Sequence, residues 1–179
     1  MEEQKRALLD ELSQWTPERL AFQPRAGEWS ALQMLDHLIR TEREILSVVY
    51  QNEHQLHEYG IMDRLRNRML VALFRTKSKV KVPQTASLVL PGELTELPIL
   101  SAEWHSIRAT LAENIDRLFH GSLGKAIFRH PVAGWMSMQA VLDFLSVHLV
   151  HHGFQLDRIR AASAHLRGES VLRSSARHL

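Results

Sequence analysis

The sequence predicts an all-α chain, a four-helix bundle with a long crossover connection between its second and third main helices. Three observations predict it. Apolar residues recur at helical spacing in four long stretches, around 2–14, 31–50, 102–120 and 138–162. The strict alternation that marks half-buried strands is weak throughout. Between the second and third stretches, Pro83, Pro91, Pro98 and Gly92 break the pattern from Thr76 to Leu100, so simple up-down-up-down order is not expected.

The elements follow in order. Leu8, Leu9 and Leu12 stand on one face of a first helix, which Thr16-Pro17 ends or redirects. Residues 17–29 hold two prolines and Gly27 and read as a connector. Ser30 and Gln33 form a capping-box pair at the start of the second helix. Leu32, Leu35, Leu38, Ile39, Leu46 and Val49 carry that helix to about Tyr50. A further helical pattern occupies 54–74, with Gly60 as a break. In the crossover, Val80–Val82 and Leu88–Leu90 have the composition of short extended pieces. Ser101 opens the third main helix, with Trp104, Ile107, Leu111, Ile115 and Leu118 on one face and His120-Gly121 at its end. Pro131 and Gly134 make another connector, and Ser137 opens the last helix, to about Ala162. The tail from Gly168 is polar.

The chain has 179 residues, 45% hydrophobic and 23% charged, which suits one soluble domain spanning 1–179. The formal charge is only +2 and the one lysine cluster, Lys77, Lys79 and Lys81, is small. Nucleic-acid binding is therefore not expected. The apolar run Leu70–Phe74 is far too short for a bilayer, and the charged N-terminus lacks the apolar core of a signal peptide. A cytoplasmic protein without membrane contact is the expectation. No cysteine is present among 179 residues, which excludes disulfides, thiolate metal sites and a cysteine nucleophile.

Pro24–Leu38, PRAGEWSALQMLDHL, and Pro131–Leu145, PVAGWMSMQAVLDFL, match without gaps at Pro, Ala, Gly, Ser, Leu, Asp and Leu. Limited capping chemistry can bring two such units to a similar form. The other reading is a pseudo-symmetric bundle in which two similar helices face each other. Histidine lies near the end of both: His37 in the first, and His148 one turn beyond Phe144 in the second.

Eleven histidines are present, and their positions matter more than their number. His148 and His152 stand at i,i+4 in the last helix, which puts both imidazoles on one face. Two nitrogen donors at that spacing can chelate a divalent ion. Position 149 is Leu, so the H-E-x-x-H protease motif is absent. A third ligand must come from another element, and His37, between Leu35 and Leu38 near an apolar face, is the best candidate. A core imidazole satisfied by ordinary hydrogen bonds is the competing reading of His37, and a polar surface seam that of the pair. His151 competes with its neighbours for the inward direction. His54, His57, His105, His120, His130, His165 and His178 lack matching spacing and read as surface or loop residues.

Trp29–Leu38, WSALQMLDHL, and His148–Leu156, HLVHHGFQL, resemble the two sequence blocks of the DinB/YfiT-like superfamily. The resemblance implies a four-helix bundle with a long crossover, and one divalent metal held by His37, His148 and His152. Gly153-Phe154 departs from the Arg-Gly that many members carry before the Gln, which alters the local pocket wall and leaves the triad intact. Zinc and nickel both suit such a site. Around it, Gln155 one turn after His152, His151, and Glu103 and Trp104 on the third main helix are the expected pocket residues. Members of the superfamily include S-transferases and isomerases that use low-molecular-weight thiols. The resemblance thus implies a metal-dependent transferase or hydrolase acting on a small molecule, with a low-molecular-weight thiol as co-substrate. A non-catalytic stress-response or binding protein with a structural or regulatory metal is the second expectation, and a metal-free helical interaction module the third. An exposed apolar face on 54–74 or on the crossover would serve a homodimer.

Overall fold

The structure is a computed structural model that describes residues 1–78, 84–93 and 95–167, except for the side chains of 84, 85 and 167. The expected extended piece at Val80–Val82, the lysines at 79 and 81, His178 and the tail from Gly168 lie outside the described residues. The element order is α1 (Glu2–Leu12), α2 (Pro17–Ala21), α3 (Ala31–Gln51), β1 (His57–Glu58), α4 (Ile61–Phe74), a 3-10 helix (Gln84–Val89), α5 (Leu97–Gly121), β2 (Lys125–Ala126), β3 (Phe128–His130), β4 (Gly134–Met136), α6 (Met138–Ala162) and a second 3-10 helix (Ala164–Arg167). The all-α class holds. No helix among the described residues is long and apolar enough to cross a membrane.

The helix starts follow from their caps. Gln33 N–H donates to Ser30 Oγ at 3.2 Å and Ser30 N–H to Gln33 Oε1 at 3.0 Å, so the capping box is complete. Ala140 N–H donates to Ser137 Oγ at 3.2 Å at the start of α6. The two sequence-similar units thus use serine in the same way. They also share a backbone turn: Gly27 has φ 80° and Gly134 φ 74°, a region where a side chain is strained.

Three elements differ from expectation. The connector 17–29 contains α2, because Pro17 is tolerated in a first turn and Thr16 Oγ1 accepts from Arg19 N–H at 3.3 Å. For the same reason Pro98 does not delay α5, which starts at Leu97, four residues before Ser101. Leu88 and Val89 belong to a 3-10 helix kinked at Ala86, not to an extended piece. Gly60 does break the 54–74 pattern, and stands as the N-cap of α4.

Four helices pack most closely: α4 on α6, α3 on α5, and α3 on α6. Expectation had placed α1 among the four main helices and α4 as an extra. The core has two parts. One gathers Val49, Phe74, Leu111, Met136, Val141, Phe144 and Leu145. The other gathers Leu12, Leu35, Leu38, Trp104, Leu149 and Leu156. On α6, Phe144 belongs to the first and Leu149 to the second, so His148 stands where they meet.

β3 and β4 pair antiparallel, Phe128 opposite Met136 and His130 opposite Gly134, and β1 pairs with β2. Buried Asn67 ties the hairpin to α4, its amide donating to the Ala133 and Trp135 carbonyls at 3.0 and 3.2 Å. On α4, Ile61, Leu65, Met69 and Leu73 are exposed in an i,i+4 row.

Candidate metal centre

α3 and α6 each bury histidine where they pack. His37 is 3% exposed, His148 5% and His152 6%. His148 and His152 are one turn apart, and their ring centroids lie 4.6 Å apart, edge to face. His37 reaches both from α3, with ring centroids at 5.2 and 4.9 Å. The three Nε2 atoms converge: His37 Nε2 is 3.3 Å and His152 Nε2 is 3.1 Å from His148 Nε2. One ligand nitrogen from each ring lies within 4.8 Å of the other two, so the group could hold a metal ion.

The outer nitrogens fix two tautomers. His37 Nδ1–H donates to the Val89 carbonyl at 2.6 Å. His152 Nδ1–H donates to Gln155 Oε1 at 2.9 Å. Both Nε2 atoms are therefore bare lone pairs. His148 Nε2 can carry only one hydrogen, so it can answer only one of its two neighbours. At least one contact then sets lone pair against lone pair inside the protein, an arrangement a cation would relieve. Three nitrogens bound tetrahedrally at zinc–nitrogen distances of about 2.0–2.1 Å stand about 3.3 Å from one another, close to the 3.3 and 3.1 Å separating His148 Nε2 from its two neighbours.

Electrostatics favour the same species. Burial pushes the pKa of His148 well below the usual imidazole value, and the other histidines add to the shift. Burial also takes His152 down to about 3. His37 is lowered by burial, against the opposing pull of the Val89 carbonyl and Asp36. All three rings are neutral near pH 7, the form that ligates a metal.

The triad forms part of the wall of a cavity of about 940 Å³. Its lining is mainly apolar, with Ile45, Val48, Leu70, Phe74, Phe128 and Phe144 from the bundle and hairpin. Val89, the last residue of the 3-10 helix, and Leu90 after it also contribute, and Arg129, Arg158 and Glu44 supply charge.

Two of the four other expected pocket residues are in place. Gln155 holds His152 and lines the cavity. His151 also lines it and is 9% exposed, and its Nδ1 has no hydrogen-bond partner among the described residues. Its ring centroid is 5.5 Å from that of His152, and it stands outside the group of converging nitrogens. Glu103 and Trp104 are not among the described residues that line the cavity. Trp104 is fully buried in the second core part, and Glu103 pairs with Arg43 of α3. Trp104 is thus taken up by the core and Glu103 by Arg43, and neither reaches the cavity wall.

Sequence reasoning passed over several lining groups. Trp29 lies over two rings of the triad, with centroids 4.8 Å from His37 and 6.3 Å from His152. Its place directly before the Ser30 cap is the available signal. Phe144 stacks on His148 at 5.3 Å. His130, expected on the surface, lines the cavity and packs against Phe144 at 5.0 Å. Its Nδ1 accepts from Val132 N–H and Ala133 N–H, both at 3.1 Å, and burial brings its pKa down to about 4.

A family model of the DinB superfamily matches residues 1–156. The chain belongs to the DinB superfamily. The match takes in both sequence blocks and all three converging histidines, and with it the DinB-like helical fold. No curated protein and no solved structure gave a match.

Proposed function

We propose that this DinB-superfamily protein is a metal-dependent enzyme whose His37, His148 and His152 hold one zinc or nickel ion, and that its favoured reaction is transfer of a small thiol onto an organic electrophile. The carrying observation is the convergence of three neutral Nε2 atoms on the wall of a roomy, mainly apolar cavity. A purely structural ion is usually closed off by four protein ligands, whereas a catalytic one keeps a position open. The triad provides three ligands, and the cavity provides room for a fourth from solution.

When bound, such an ion supplies Lewis acidity, which favours the thiolate form of a thiol or the hydroxide form of water. The protein's own residues do the rest. Three neutral imidazoles leave the ion's charge uncompensated. The Val89 carbonyl and Gln155 hold two of the rings in the ligating tautomer. Apolar walls exclude water and take the body of an organic substrate. The His151 ring lines the same cavity and could take a proton there.

In the overall change a C–S bond forms between thiol and electrophile, the bond from carbon to the leaving group breaks, and the leaving group departs with the thiol's proton. The chain has no cysteine, so the thiol must come from outside. With water in place of the thiol, the same site would act as a hydrolase. A second copy would pack on the exposed row of α4, and a homodimer is part of this proposal.

Untagged protein loaded with zinc or nickel, assayed with a panel of small thiols and a haloarene, tests the reading. Thiol-dependent turnover above that of the free ion is expected. Turnover of esters or amides without thiol would point to the hydrolase. No turnover in either assay would overturn the enzyme reading in favour of a structural or regulatory ion.

A further inference from the structure

Asp36 and His37 are neighbours on α3, so their side chains leave the helix about 100° apart. Both nevertheless reach one short segment of the cavity wall. Gly92 N–H donates to Asp36 Oδ2 at 2.7 Å, and the Val89 carbonyl, three residues earlier, accepts from His37 Nδ1–H at 2.6 Å. Asp36 is 7% exposed, and its Oδ2 also accepts from Arg40 Nε at 2.8 Å. The carboxylate is therefore held from the helix side as well as from the wall.

A Cβ at Gly92 would meet the end of the Arg40 side chain, which pairs with Asp36. Leu90, between the two hydrogen bonds, lines the cavity, as do Val89 and Leu88. Leu88 is 71% exposed and Leu90 44%, so little apolar packing anchors the segment beside these two bonds.

We infer that Asp36 is a positioning residue: by clipping Gly92 to α3 it places the Val89 carbonyl that keeps His37 in the Nδ1–H tautomer, with Nε2 turned to the triad. The inference deepens the proposed metal site and rests on it for its consequence in metal affinity, but the clip and the tautomer belong to the polypeptide itself. Partners one step beyond the ligands typically change metal affinity by about 10–100-fold. Asp36 acts through one further link, so the lower end, about tenfold, is expected. Coupling between sites is reciprocal, so metal binding should in turn protect the amides of 88–90 and 92 from exchange.

The test uses the full chain with Asp36→Ala, Asp36→Asn and Gly92→Pro. Three readouts are taken: ¹⁵N chemical shifts of the histidine rings in metal-free protein, hydrogen exchange of 88–92, and zinc affinity by competition with a chromophoric chelator. In the wild type, His37 is expected as the Nδ1–H tautomer. Asp36→Ala should show mixed tautomers at His37 alone, faster exchange at 88–92 but not in α6, and about tenfold weaker zinc binding. Asp36→Asn, which keeps an oxygen acceptor, should restore the tautomer and most of the affinity. Gly92→Pro removes the donor N–H, changes no residue of α3 and should reproduce the Asp36→Ala pattern, which covers the case of a poorly folded Asp36→Ala. A folded Asp36→Ala or Gly92→Pro with an unchanged His37 tautomer and zinc affinity within twofold of wild type would overturn the inference and leave the metal site standing. A wild type that binds no zinc, with the tautomer still shifting in the variants, would overturn the proposed metal site and leave the clip standing.

Discussion

His37 and His148 stand 111 positions apart in the chain, and their Nε2 atoms lie 3.3 Å from each other. The contact joins the two helices that share the Pro-x-Ala-Gly…Ser lead-in. His152 completes it from the next turn of α6.

Substitution of the histidines should separate the ligands from their neighbour. His148→Ala and His152→Ala each remove a converging nitrogen, whereas His151→Ala removes a ring outside the group. Calorimetric zinc titration should show loss of stoichiometric binding in the first two, and retained stoichiometry in the third. Loss in His151→Ala with retention in His152→Ala would mean that the helix presents a different face.

Acid should weaken the metal-free protein. The folded-state pKa values of His130, about 4, and His152, about 3, lie below the ordinary imidazole value. Between that value, about 6.5, and these lower ones, the unfolded chain binds protons that the folded chain refuses. The stability these groups contribute is complete above pH about 6.5 and falls as pH drops toward 4. Denaturant midpoints of metal-free protein across that window check the sign. Metal affinity should fall over the same range, because protonated rings do not ligate.

Trp29 should report on the centre. It is one of four tryptophans and the one placed over His37 and His152. Nickel addition should quench its fluorescence, and Trp29→Phe should remove most of the quench while leaving the stoichiometry of binding unchanged. Undiminished quenching in Trp29→Phe would place the ion elsewhere.

Glu42 and Arg108 form a two-pronged ion pair between α3 and α5, with Arg108 Nε donating to Glu42 Oε2 at 2.6 Å. Their side chains are 3% and 7% exposed. Removing one partner leaves a charge buried, so Arg108→Met should destabilise the fold by roughly 3–5 kcal/mol, and replacing both by apolar residues should cost far less. Chemical denaturation of the single and double variants measures the difference.

Much of this was legible in the sequence because the strongest local signals agreed. Ser30 with Gln33, and Ser137 before a long apolar pattern, set the starts of α3 and α6, and those two helices carry the triad. The i,i+4 spacing of His148 and His152 fixed their common face. Elements shorter than a helical turn were not legible. The β3–β4 pair has three residues in each strand, too few for a period of two to stand out, and so His130 was misread. Pro98 misled in the other direction, since a proline both ends one helix and begins another. The placements of Trp29 and of Glu103 and Trp104 depend on how α3, α5 and α6 pack, which no local pattern states.

The central claim is that His37, His148 and His152 hold a divalent ion. Elemental analysis of untagged protein, purified without chelating resin and compared with a folded His148→Ala variant, tests it most directly. One equivalent of zinc or nickel per chain in the wild type and almost none in the variant is the expected result. Metal-free wild-type protein that also takes up no zinc or nickel on addition, or equal metal in both proteins, would contradict it.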